Sequence, residues 1–196
     1  MYHNVDFEVF LDINDTQYGF AIIDPPWNYD DKPPAVMEKQ LTYELWDNMK
    51  LVDIFQKLDV KYMFMWVTPS MLPVLFNCYT ESGSDYEYKT ILPWIKTTSK
   101  DNLLYGLGNT FRQCCEYLVV FQKHGTPVLR FADRAIIIEE SGSRTVKPKI
   151  FERELVKKLN DKGLNGVYIF SGGNLDFIDC VDVVEEPKYG KQQLFE

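Results

Sequence analysis

Five short runs of apolar, β-prone residues recur along this chain, and they constrain the fold more than any other feature. They are Gly19–Asp24 (GFAIID), Lys61–Val67 (KYMFMWV), Glu116–Phe121 (EYLVVF), Ala135–Ile138 (AIII) and Gly166–Phe170 (GVYIF). Their apolar character is nearly continuous rather than alternating, which is the pattern of strands covered on both faces. Helix-like stretches lie between them, at Leu45–Leu58 and at Pro148–Leu159, the latter opening on a proline suited to a first helical position. Strands interleaved with helices predict an α/β domain with a central, mostly parallel sheet flanked by helices. The 196 residues suit one domain with one sizeable core, so residues 1–196 are read as a single unit.

Composition narrows the partners. No apolar run approaches the roughly 20 residues that span a bilayer. The first eleven residues carry Asp6 and Glu8 and no basic region, unlike a signal peptide. Cys78, Cys114, Cys115 and Cys180 show no zinc spacing and read as reduced thiols of a cytoplasmic protein. His3 and His124 are too isolated to hold a metal, and none is expected. The net charge of −8 argues against a sequence-blind nucleic-acid coat. The charge is uneven, however. From Lys89 to Lys158 thirteen Lys and Arg stand against seven Asp and Glu, a net +6, which leaves −14 for the remainder. Such a basic middle is either a solvated face or a phosphate-binding surface.

Chemistry concentrates where the first strand ends, in Asp24-Pro25-Pro26-Trp27. Pro supplies no N–H, so this stiff turn offers a carboxylate and main-chain carbonyls as acceptors. Such a turn can take both hydrogens of one amino group, with Trp27 stacked on the ring that bears it. An exocyclic amine delocalised into a purine is a poor nucleophile, and acceptors on its N–H groups both orient it and favour the charge it develops. Equally open is a plain proline turn capping a strand, with Trp27 in the core. Two long loops follow strands, Asn28–Gln40 and Thr97–Asn109, and loops of this length are often functional.

Asp24-Pro25-Pro26-Trp27 resembles the DPPW motif of amino methyltransferases that modify N6 of adenine. The rest of the chain resembles the MT-A70 family, which includes the catalytic subunit of the mRNA adenosine methyltransferase and phage and bacterial DNA adenine methyltransferases. Phe64-Met65-Trp66-Val67-Thr68 is similar to its strand ending in W-V-T, and Trp94 with Lys96 to its W-x-K. Gly106-Leu107-Gly108 with Arg112 and Glu116 is similar to its G-x-G with spaced Arg and Glu. Ser143-Arg144 and Lys147-Pro148 resemble its S-R-K-P, stretched by two residues.

The resemblance implies a Rossmann-like S-adenosylmethionine-dependent methyltransferase fold with the catalytic motif ahead of the cofactor motif. It implies Asp24, Pro25, Pro26 and Trp27 as catalytic residues, and Asp6, Phe7 and Lys147 near the cofactor. The family's cofactor strand corresponds to Val167–Asn174, with Ser171, Gly172, Gly173 and Asn174 as candidate contacts. The family Arg and Glu are missing there, and Asn174, Asp176 or Asp182 are left as candidate ribose ligands. Asn28 and Tyr29 in the first loop, with Lys96 and Arg112 in the basic middle, are candidate nucleic-acid contacts. The expected activity is methylation of adenine N6, on DNA rather than RNA, with a homo- or heterodimeric partner also contemplated. The rival expectation is an inactive methyltransferase-like subunit that binds nucleic acid or scaffolds a partner, which the altered Val167–Asn174 segment favours.

Overall fold

The computed structural model describes residues 2–3, 10, 17–28, 45–106, 110–142, 146–170 and 182–184. Among the described residues, eight strands form one sheet: β1 (Tyr2–His3), β2 (Phe20–Ile23), β3 (Tyr62–Val67), β4 (Tyr86–Thr97), β5 (Cys115–Lys123), β6 (Ile137–Glu140), β7 (Gly166–Ile169) and β8 (Asp182–Val184). Their order is β1-β8-β7-β2-β3-β5-β4-β6. All neighbouring pairs are parallel except β3 with β5 and β5 with β4. The sheet is therefore mostly parallel, with a single reversed strand set into it, in a Rossmann-like α/β arrangement.

Among the described residues, helices α1 (Asn48–Lys57), α2 (Leu72–Ser82) and α3 (Lys149–Asn160) cover the two faces. Because successive strand residues point to opposite faces, each strand feeds two cores. Ala21, Ile23, Met63, Met65, Val119, Phe121, Val167 and Ile169 pack with Leu51, Ile54 and Phe55 of α1 and Leu75 and Cys78 of α2. Phe20, Ile22, Phe64, Trp66, Leu118, Val120 and Tyr168 pack with Leu155, Val156 and Leu159 of α3. Strands β2, β3 and β7 are buried at every position, as their unbroken apolar runs require.

Element bounds differ in instructive ways. α1 begins at Asn48 rather than Leu45, because the Asp47 side chain accepts from Lys50 N at 2.9 Å and caps the helix. The fourth β-prone run, Ala135–Ile138, starts two residues later than expected, at Ile137, since pairing with β4 sets its register from Trp94↔Ile137 onward. Both β4 and α2 escaped the sequence pattern. Pro93 and the charged stretch Glu87–Lys89 disguise β4, and α2 follows a short 3-10 turn at Pro69–Met71. β4 also carries a bulge between Tyr88 and Thr90. Before it Tyr86 faces the α1–α2 core; after it Leu92 and Trp94 face α3. One extra residue thus turns the end of β4 toward the other face. No described helix is long and apolar enough to cross a membrane.

Gly166 opens β7 beneath the Phe20 ring, and a Cβ there would fall 2.1 Å from Phe20 Cζ. Phe20 is fully buried and has nowhere to go. Gly166→Ala should therefore destabilise the protein by about 1–3 kcal/mol, the usual cost of overpacking. Adding Phe20→Leu should recover part of the loss, read as urea midpoints of the single and double variants.

Candidate active site

Where β2 and β7 lie side by side, the chain leaves them in opposite directions: β2 continues through α1 to β3, while β7 continues to β8 on the other side. This is a topological switch point, and the crevice beyond the carboxyl ends of such strands is where open α/β sheets place ligands. β2 delivers Asp24 to that edge, and Asp24 N donates to Ile169 O at 3.0 Å, extending the ladder by one residue. β3 and β4 end at the same edge. β5 runs the other way, so it is the start of β5, with Glu116, that arrives there.

Parity then selects the side chains. The alternation that turns Phe20 and Ile22 toward α3 turns Asp24 the same way, as it does Glu116 ahead of Leu118. The bulge in β4 lets Lys96 join them after Trp94. Lys147, just before α3, completes the set. Lys147 Nζ lies 3.0 Å from Asp24 Oδ2 and 3.0 Å from Glu116 Oε2. Glu116 Oε1 in turn takes the ammonium of Lys96. The result is a row of alternating charge, Asp24–Lys147–Glu116–Lys96, whose side chains are only 11–18 % exposed. Burial by itself would raise the Glu116 carboxyl, but Lys147 and Lys96 outweigh it and hold it below the usual glutamate range. Burial would likewise favour neutral Lys147, and Asp24 and Glu116 overcome this, pushing the ammonium well above the ordinary lysine value. Two tryptophans form the floor: Lys96 Nζ is 4.6 Å from the Trp94 ring centre and Lys147 Nζ is 6.0 Å from that of Trp66.

The turn after β2 is braced from several sides. Trp27 N donates to Pro25 O at 2.8 Å and Trp46 N donates to Pro26 O at 3.0 Å. Trp27 is 6 % exposed, and its indole N–H donates to Trp66 O at 3.1 Å. In this conformation Trp27 locks the turn onto β3 instead of presenting an open face. Phe170, the residue after β7, has φ 63°, a left-handed conformation that a bulky residue rarely adopts. Its ring packs edge-on against Trp46 at 4.7 Å and its N–H donates to Val184 O at 2.9 Å. Strain of this kind is held where surrounding contacts over-determine it, commonly at functional edges.

α3 is fixed to the sheet at its first turn. Pro148 at the N-cap has no side-chain acceptor, and Glu139 from the end of β6 serves instead, accepting from Ile150 N at 2.8 Å and Phe151 N at 3.0 Å. A carboxylate at that end also suits the helix dipole. One turn on, Glu152 Oε1 accepts from both Trp66 Nε1 and Tyr168 OH at 2.7 Å. These two anchors position Lys147.

Of the residues expected from sequence, Asp24, Pro25, Pro26, Trp27 and Lys147 come together here. Asn28 and Arg112 are exposed. Lys96 is turned into the ion row, so of the two basic candidates only Arg112 stands in solvent. Asp182 is a correction: it pairs with Val167 near the amino end of β7, away from the crevice, and accepts from Tyr18 OH at 2.7 Å. Asp6, Phe7, Tyr29 and Ser171–Asn174 lie outside the described residues, as do Asp176 and Ser143-Arg144. Glu116 was visible only as part of a motif, without a role. Glu152 was missed; a lone glutamate within a helical pattern reads as solvated face.

Lys147→Met tests the ion row. It would leave two carboxylates in a poorly hydrated place without their shared cation, at a cost of about 3–5 kcal/mol near pH 7. Without that cation, the Asp24 and Glu116 carboxyls would bind protons more readily in the folded variant than in the folded parent. The stability deficit relative to the parent should therefore shrink as pH falls through 6 toward 4, as measured by denaturant melts across that range.

The chain matches no curated protein. It does match the family model MT-A70 over residues 18–175, which takes in the turn after β2, the ion row, and the passage from β7 into its following segment. MT-A70 proteins are S-adenosylmethionine-dependent methyltransferases, and this chain, matched across most of its length, belongs to the MT-A70 family.

Proposed function

We propose that the protein transfers a methyl group from S-adenosylmethionine to the N6 amine of adenine in nucleic acid, with DNA the acceptor that the family resemblance favours. The observation that carries this reading is the Lys147–Asp24 pair at 3.0 Å, set at the switch point between β2 and β7. The topology fits the cofactor: β2 and β7 part at the switch point, where open α/β sheets bind ligands, and β7 leads from it directly into Ser171–Asn174. When bound, the cofactor would supply a methyl group on a sulfonium, so no metal or covalent enzyme intermediate is required of the chain.

The residues then divide the work. Asp24, kept charged and oriented by Lys147, accepts an N–H of the amine. The carbonyls of Pro25 and Pro26 each already take one backbone N–H, and a carbonyl oxygen has a second lone pair with which to take another. Trp27 holds the turn that aims these acceptors. The interaction strengthens as the amine nitrogen becomes positive, so it lowers the barrier more than it tightens the ground state. Arg112, exposed in the basic middle, contacts backbone phosphate.

Calorimetric titration should show S-adenosylmethionine binding in the micromolar range, roughly −8 kcal/mol. A folded protein that binds no cofactor would instead support an inactive subunit. Asp24→Ala should cut methyl transfer to adenine-containing oligonucleotides by about 10²–10³ or more while leaving cofactor affinity largely intact, and Asp24→Asn should fail as well. Tritium transfer, with the product identified by mass spectrometry on matched DNA and RNA, decides both base and polymer. A wild-type rate from a folded Asp24→Ala variant would show that the motif is structural.

For the nucleic-acid contact, Arg112→Glu is the cleaner probe, because reversing Lys96 would also break the ion row. It should lower the slope of log affinity against log salt by about one ion. An unchanged slope would remove Arg112 from the interface.

A further inference from the structure

Glu152 has no part in the chemistry above, yet it is the one carboxylate among the described residues that is fully buried, at 4 % exposure. Its oxygen is held by Trp66 of β3 and Tyr168 of β7, the strands on either side of β2. Among the described residues no lysine or arginine lies within ion-pair distance of it. The charged groups that act on it are Asp24 from β2 and Lys147 from the segment before α3, and both belong to the ion row.

Among the described residues that row holds two cations against two anions, and ionisation of Glu152 adds one negative charge to them. Burial pushes its pKa up to about 7; the hydrogen bonds from Tyr168 and Trp66 lower it, Asp24 raises it, and Lys147 lowers it. Burial thus brings the group much closer to taking up a proton at neutral pH than an exposed glutamate, and a nearby charge shifts that balance.

Resting on the proposed function, we propose that Glu152 is the counter-charge to the cationic methyl donor, releasing its proton to solvent when a sulfonium occupies the crevice and taking one up when the neutral thioether product replaces it. The location supports this. Tyr168 lies two residues before Phe170, where β7 enters the crevice, and Trp66 forms the floor under Lys147. A full positive charge arriving above that floor favours the ionised carboxylate, and loss of the charge on methyl transfer removes the preference. Glu152 would thereby help distinguish donor from product without touching either.

The test is proton linkage in the wild-type protein, read by calorimetry at pH 7 in phosphate and in Tris, with S-adenosylmethionine and S-adenosylhomocysteine as ligands. Binding the sulfonium should release more protons than binding the thioether, by a fraction of one proton. Glu152→Gln should remove the protein's share of that difference, isolating it from titration of the ligands' own amines. The affinity ratio of donor to product should rise about three- to tenfold more between pH 6 and 8 in the wild type than in Glu152→Gln. Tyr168→Phe removes a donor to the ionised form, so it should move the midpoint of that rise to higher pH. It also keeps the question decidable if Glu152→Gln does not fold. A purely structural clamp would lower stability in both variants and leave proton counts and the ratio's pH dependence at wild-type values, which overturns the inference. Failure of the wild type to bind either ligand overturns the proposed function as well.

Discussion

The pairing of Lys147 with both Asp24 and Glu116 is the interaction on which the rest of the site depends. Each of these charges has lost most of its water, and desolvation of an ion in a protein interior costs several kcal/mol unless partners replace the lost solvent. Lys147 is held against Asp24 and favours its charged form, Glu116 flanks Lys147, and Lys96 flanks Glu116. The row is short, neutral and seated on two indole rings. Removing any inner member would leave a buried charge without its partner.

The topology explains how four distant segments supply one row. In a purely parallel sheet only strand ends would reach the carboxyl edge. Reversing β5 between β3 and β4 brings a strand start there as well, and Glu116 occupies it. The bulge in β4 corrects parity so that Trp94 and Lys96 face α3 rather than α1 and α2. Glu139 and Glu152 then fix the first turn of α3, which sets the position of Lys147 just ahead of it. The clamps and the row are thus parts of one mechanical unit, with Trp66 shared between them.

The same contacts revise the electrostatic picture. Counting residues gives the segment from Lys89 to Lys158 a net +6. Two of those cations, Lys96 and Lys147, point inward and are neutralised by Glu116 and Asp24, and Lys158 pairs with Asp133 at 2.7 Å. Glu116 and Glu152, already counted in that +6, are turned inward as well, so what a phosphate backbone would meet rests on exposed side chains such as Arg112, Arg130 and Arg134.

By itself the sequence determined the elements whose identity is local. Continuous apolar runs specify β2, β3 and β7, because a strand covered on both faces has no polar position to spare. The turn Asp24-Pro25-Pro26-Trp27 was legible because two prolines fix a chain direction wherever they occur. What only the tertiary structure decided depends on partners far apart in sequence. β4 is a strand because β5 and β6 pair with it, despite Pro93. Trp27 became a brace because the Trp66 carbonyl lies within reach of its indole. Lys96, a candidate phosphate contact in one dimension, became an inner charge because Glu116 lies across the β4–β5 ladder. Glu152 looked like solvated surface until β3 and β7 supplied donors on either side of it. An ionisable group takes its role from what desolvates it and what pairs with it, and neither is written in its neighbours along the chain.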